Sequence, residues 1–168
     1  MRAYKFLTED RTGRFSGFRW EPQGWVEANG AVDVCRTGIH ACRLEQLPLW
    51  LDDELWIIEL EDVVDLADVI VGRRGRLVDR IDAWGRGTAC EFAASCVERA
   101  HQLAAAGAGD NIGEYADDTR TVAEAATSVR EAAFVAFATA HAAEVAGPGG
   151  GRAERERQAR WLRDRLGL

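Results

Sequence analysis

The sequence is nearly empty of lysine. Lys5 stands alone among 21 basic residues, so 20 are arginine. Schiff-base chemistry then has one candidate amine, set in an apolar run, which argues against a covalent lysine mechanism. Long apolar runs are missing as well. The N-terminal MRAYKFLTEDRTG lacks the run of about 7–15 apolar residues that marks a signal peptide. The stretch from Ala132 to Ala143 carries His141 and is too short to span a bilayer. These absences predict a cytoplasmic protein without a membrane partner, in which the four cysteines are thiols. Cations are not in excess: the net charge is −7. That argues against nucleic acid as a partner, because a phosphate backbone is bound by clustered positive charge. The local run Arg73-Arg74-Gly75-Arg76 reads as a basic turn in solvent. No G-x-G-x-x-G, P-loop, G-x-S-x-G, H-E-x-x-H or calcium-loop pattern occurs, so no cofactor and no metal is predicted.

What is present is a core. Apolar residues make up 47% of 168 residues, enough for one folded domain. Residues 1–82 hold Trp20, Trp25, Trp50, Trp56 and the β-branched runs; the rest is rich in alanine. Tyr4 to Leu7 reads as a first strand closed by a polar turn at Thr8 to Gly13. Phe15 to Trp20 alternates aromatic with small or polar residues. Trp25 to Ala28 is a short strand, and Asn29-Gly30 predicts a hairpin pairing it with Val32 to Cys35. Leu44, Leu47, Trp50 and Leu51 have helical spacing, limited by Pro48. Glu54 to Leu60 is the clearest strand and is expected to be central, with Trp56 and Ile58 buried on one face. Val69 to Val71 and Leu77-Val78 flank Gly72 to Gly75 and suggest a closing hairpin.

Beyond residue 82 the spacing is helical. Thr88 is placed to cap a helix reaching about Ala106, with Ala89, Phe92, Ala93, Cys96, Ala100 and Leu103 on one face. Asp117 or Asp118 is placed to start a long helix to Val145, with a stripe of Val122, Ala126, Val129, Ala133, Phe137 and Ala140. Residues 147–151 read as a glycine-rich linker, and 152–168 as an amphipathic helix burying Ala159, Leu162 and Leu166. The expected class is α+β. A mostly antiparallel sheet from the N-terminal half packs against two long alanine-rich helices (residues 83–146) and the C-terminal helix.

The stretch VCRTGIHAC, Val34 to Cys42, concentrates the candidate chemistry. With a two-residue turn at Thr37-Gly38, Cys35 faces His40, and His40 shares a face with Cys42. Three such groups suit an open zinc site or a thiol–imidazole pair. Equally they suit a structural hairpin with small buried thiols, and that reading is preferred. His40, with two polar nitrogens, is the group expected to reach a cleft and do acid–base work. Cys90, Cys96, His101 and His141 read as structural. Glu59 is the carboxylate to watch, since it lies inside the central strand. The aromatics around Trp20 and Trp25 suit either a pocket lining or core.

The segments FSGFRW, WVEA, CRTGIHAC and ELWIIELED resemble an uncharacterised actinobacterial and phage family with a C-x-x-G-[FIL]-H-A-C box. The likeness runs over about residues 4–84 and implies no activity. GIHAC, a short helix and LWIIEL also resemble, more distantly, the strand–helix–strand unit of ADP-ribosyltransferase-like domains. That resemblance implies an NAD cleft holding His40 and Glu59. Arg2 and Tyr4 are then the nearest substitutes for the missing His-Gly or Arg-Gly pair, and Glu59-Leu60-Glu61 has the spacing of the catalytic turn. The candidate set is thus His40 and Glu59 as catalytic residues, with Tyr4, Arg19, Trp20, Trp25, Cys35 and Cys42 as ligand-binding residues. The preferred function is binding of a small molecule or a protein. The alternatives are an ADP-ribosyltransferase-like enzyme, active or degenerate, and a thiol–histidine or metal-dependent enzyme. A homodimer through the alanine-rich helices is the self-association expected.

Overall fold

The computed structural model describes residues 1–22, 24–30, 32–33, 37–106, 117–122 and 128–168. The chain is α+β, with an antiparallel sheet in the N-terminal half and helices in the C-terminal half. It divides into two compact units, Met1–Asp82 and Ala83–Leu168.

The first unit contains β1 (Arg2–Leu7), β2 (Val26–Glu27), β3 (Ile39–Ala41), a 3-10 helix (Leu44–Leu49), β4 (Glu54–Asp65) and β5 (Ile70–Arg80). β4 is central, pairing antiparallel with β1 on one side and β5 on the other. The far edge of β5 carries β3 at residues 70–72 and β2 at Arg74 and Gly75. Just past β3, Cys42 and Tyr4 exchange two backbone hydrogen bonds of 2.8 Å, so the sheet curls back onto β1. Alternation then sends Ala3 and Leu7, Trp56 and Ile58, and Ile39 and Ala41 into one buried cluster with Trp20. The 8–20 loop is tied down from outside the sheet: Arg14 donates to both oxygens of buried Asp52, at 2.8 and 2.5 Å.

Three local segments take their form from the whole sheet. The hairpin expected between Trp25–Ala28 and Val32–Cys35 involves Val34 and Cys35, which lie outside the described residues; among the described residues the partner of β2 is β5. Phe15 to Trp20 forms no strand and makes one isolated bridge, Thr12 to Arg19. Gly72 to Gly75 is no hairpin turn, because β5 runs straight through it against β4. The glycines are there for space. A Cβ at Gly72 or Gly75 would lie 3.0 or 2.9 Å from Leu60 Cδ2, so the missing side chains admit the buried Leu60. The basic run Arg73-Arg74-Gly75-Arg76 is therefore part of a strand.

The second unit contains α1 (Arg86–Ala105), α2 (Val129–Ala146) and α3 (Gly150–Leu166), and residues 117–122 are also helical. The face of α1 expected from spacing is the buried one. Its cap is Gly85, one turn earlier than expected, while the Thr88 hydroxyl donates to the Ala83 carbonyl at 2.7 Å. Ser128 is extended and forms a capping box with Glu131, so a fresh helix starts there instead of continuing from Asp117. Ala126 lies outside the described residues. α1 and α2 pack through small side chains, with Ala132, Ala136 and Ala140 inward. Phe137 points out and is 59% exposed, because the alanine stripe already fills the close approach. α3 begins inside the expected linker, at Gly150. A Cβ there would sit 2.0 Å from the Ala143 carbonyl oxygen, so glycine is what lets α3 fold tightly onto the end of α2. Leu162, Leu166 and Ala159 are buried, and Trp161 packs 5.3 Å from Phe92. Among the described residues no helix is long and apolar enough to cross a membrane.

Candidate functional site

The outer face of the first unit's sheet carries rows of alternating charge that end on an aromatic ring. Val26 pairs with Gly75 and Glu27 with Arg74, so Trp25 stands level with Arg76. Glu59 pairs with Arg76, and Glu61 with Arg74. The side chains follow this register. Arg76 meets Glu59 at 2.8 Å through Nε and 2.6 Å through Nη2, and Arg2 approaches Glu59 from β1 at 3.8 Å. Arg74 reaches Glu61 at 2.5 Å. Arg73 holds Glu27 at 2.6 Å. The guanidinium carbons of Arg74 and Arg76 lie 4.9 and 5.1 Å from the Trp25 ring centroid, within cation–π range. Trp25 is thus fixed by two cations that carboxylates hold in turn, yet 39% of it faces solvent. Hydrogen bonding from Arg76 holds the Glu59 carboxyl below its ordinary value, and Arg73 does the same for Glu27.

The VCRTGIHAC stretch is built differently. Asp33 and Thr37 exchange backbone hydrogen bonds of 2.8 and 2.7 Å, which displaces the expected turn at Thr37-Gly38. Gly38 has φ +147°, and a Cβ there would lie 2.3 Å from Val71 Cγ1; it serves a close approach to β5. Val34, Cys35 and Arg36, with the expected Cys35–His40 pairing, lie outside the described residues. His40 pairs with Val71, and since Ile39 and Ala41 enter the core, His40 turns to the opposite face. Cys42 shares that side but is only 1% exposed, and burial pushes its thiol up to about 12. Burial, helped by Cys42, also raises the Tyr4 phenol. Among the described residues no three His, Cys, Asp or Glu side chains gather as a metal-binding set.

Of the candidate residues, the structure brings together Tyr4 with Cys42, and Trp25 with Glu59 through Arg76. It does not bring His40 to Glu59. Their partners on β5 are Val71 and Arg76, five residues apart, about 16 Å at the rise of a strand. Arg19 is exposed on the 8–20 loop. Trp20 is core, 3% exposed, with the Phe18 ring edge-on at 5.5 Å.

Two features escaped the sequence. Arg74 and Arg76 looked like a solvated turn, and only the pairing of β2 with β5 sets them beside Trp25. Lys5 looked chemically idle. It alternates with Ala3 and Leu7, so it points inward; its ammonium donates to the His40 carbonyl at 2.6 Å and lies 5.2 Å from the Trp20 ring centroid. Burial pushes its pKa down to about 8. A lone lysine on the apolar side of an alternating strand was the available signal.

Residues 1–60 match a family model described as a domain of unknown function (DUF7666), which spans β1 to the middle of β4 and stops short of β5. No curated protein and no solved structure matches the chain.

Proposed function

We propose that the first unit is a non-catalytic binding module for a protein partner in the cytoplasm, with Trp25, Arg74 and Arg76 at the centre of its surface. The observation that carries this reading is the half-exposed Trp25 ring fixed between two ion-paired guanidiniums. Tryptophan and arginine dominate the energetics of protein interfaces. A ring already held in place loses little freedom on binding. The surface is an open sheet face, whereas small molecules favour enclosed, mostly apolar pockets. Glu59, Glu61 and Glu27 neutralise the arginines, so the face lacks the surplus positive charge that nucleic acid requires. Buried thiols at Cys42 and Cys96 fit a reducing compartment.

The catalytic readings draw less support. An ADP-ribosyltransferase-like cleft calls for His40 and Glu59 on one ligand, and they stand far apart along the sheet. A thiol enzyme calls for an accessible thiolate, and Cys42 is buried and protonated at neutral pH. Dimerisation through the alanine-rich helices is weakened because those alanines are covered within their own unit.

Selection of a displayed random-peptide library against the whole protein tests the proposal. Enriched peptides should shift the amide and indole signals of Trp25, Arg74 and Arg76, and should fail to bind Trp25→Ala. Failure to enrich any peptide, or shifts centred on Tyr4, His40 and Cys42, would refute it.

A further inference from the structure

α2 buries its alanines and turns its large side chains outward. Its exposed residues are Arg130, Phe134, Phe137, His141, Glu144 and Val145. From Arg130 to Glu144 the steps are four, three, four and three residues, the alternation that keeps side chains on one side of a helix. They form a single outer seam. Phe134, Phe137 and Val145 are 53%, 59% and 61% exposed. A lone exposed apolar side chain is ordinary, whereas several in line mark a contact surface. His141 extends the patch, with its ring stacked on Phe137 at 6.4 Å and 2° between planes. Arg155 of α3 flanks it, 5.9 Å from the Phe137 centroid, and leaves the rest of that ring in solvent.

The charges along the seam say what fits it. Arg130 and Glu144 close its two ends, about 21 Å apart at the rise of a helix, and Phe137 is midway between them. A second α2 laid antiparallel about a two-fold axis at Phe137 sets each Arg130 against the other copy's Glu144. The two Phe137 rings meet on the axis, and each Phe134 faces the turn that carries the other copy's His141. The pattern is self-complementary, as an isologous contact must be. A parallel copy would instead oppose arginine to arginine and glutamate to glutamate. Glu144 is held in place at its end of the seam, accepting from the Gly151 amide at 2.9 Å and the Gly149 amide at 3.4 Å. A carboxylate has about four acceptor sites, so it can also receive a guanidinium.

We propose that a second copy of this chain docks on the outer face of α2, antiparallel and centred on Phe137, to give a weak, concentration-dependent dimer. One helix per chain places it among small, transient contacts. The alanines stay inside their own unit, and the contact is made by the phenylalanines behind them. The proposal rests on the second unit and does not depend on the Trp25 surface.

Sedimentation equilibrium of the full chain over a wide concentration range tests it. Arg130→Glu alone and Glu144→Arg alone should each weaken association about tenfold, by turning two attractive pairs repulsive. An equimolar mixture of the two variants should regain association, because each supplies the other's complement. Phe137→Lys sets two like charges on the axis and should abolish the dimer. Arg130 and Phe137 are exposed, so Arg130→Glu and Phe137→Lys should keep the wild-type melting temperature measured at low concentration. A wild type that stays monomeric, a Phe137→Lys variant that associates as the wild type does, or a mixture that associates no better than its components would overturn the proposal.

Discussion

Lys5→Met should change stability in a way that depends on pH, and the sign follows from the lysine's surroundings. Burial lowers the Lys5 pKa from 10.5 to about 8. The folded state then resists protonation, at a cost of about 3 kcal/mol at neutral pH, taking about 1.4 kcal/mol per pKa unit. The penalty is fully present below about pH 8 and fades as pH rises toward the unfolded value. Cys42 and Cys96 act in the opposite sense. Burial raises each from 9.0 to about 12, so their contribution is complete below the unfolded value and is lost as pH climbs toward 12. The two trends partly cancel in the wild type, which is why the comparison with the variant is informative. Methionine keeps the length of the stem and removes the charge, and the thiols are common to both proteins. Urea unfolding should show the stability of Lys5→Met relative to wild type falling by about 1 kcal/mol between about pH 8 and 9, and by about 2 kcal/mol by about pH 10. A difference that is flat over this range would show that the ammonium is not desolvated, and one that grows would reverse the assignment.

Other outcomes follow from the packing. Gly75→Ala should destabilise by about 1–3 kcal/mol through overpacking against Leu60, and Leu60→Ala in the same chain should recover part of that loss in urea melts. Arg14→Ala should cost about 2–3 kcal/mol by leaving Asp52 buried without its bidentate partner; a loss under about half a kcal/mol would mean water replaces it. Cys42 should resist thiol reagents at neutral pH in the folded protein and react once urea unfolds it, and rapid labelling of folded protein would contradict its burial.

Local pattern made some elements legible. Short apolar-rich runs marked β1 and β4, and the 3.6-residue spacing identified the buried face of α1 residue by residue. Glycine was misread because its usual role is the turn. Gly72 and Gly75 sit mid-strand and Gly150 inside a helix, each where a neighbour comes too close for a Cβ, and such contacts are long-range. The same limit hid the partner of β2. Asn29-Gly30 is a short-range signal, while the pairing with β5 joins residues about fifty apart and depends on the whole sheet. The candidate surface inherits that difficulty. Trp25 and Glu59 were visible singly, but Arg74 and Arg76, which join them, became interpretable only through the register of three strands.

The central claim is that Trp25 serves recognition and not folding. A direct test pairs thermal unfolding of Trp25→Ala with its affinity for a peptide selected on the wild type. The ring is only partly buried and makes two exposed cation–π contacts, so the stability loss should stay below about 1.5 kcal/mol while affinity drops more than about tenfold. A variant that loses several kcal/mol, or that binds the peptide as tightly as the wild type, would contradict the account.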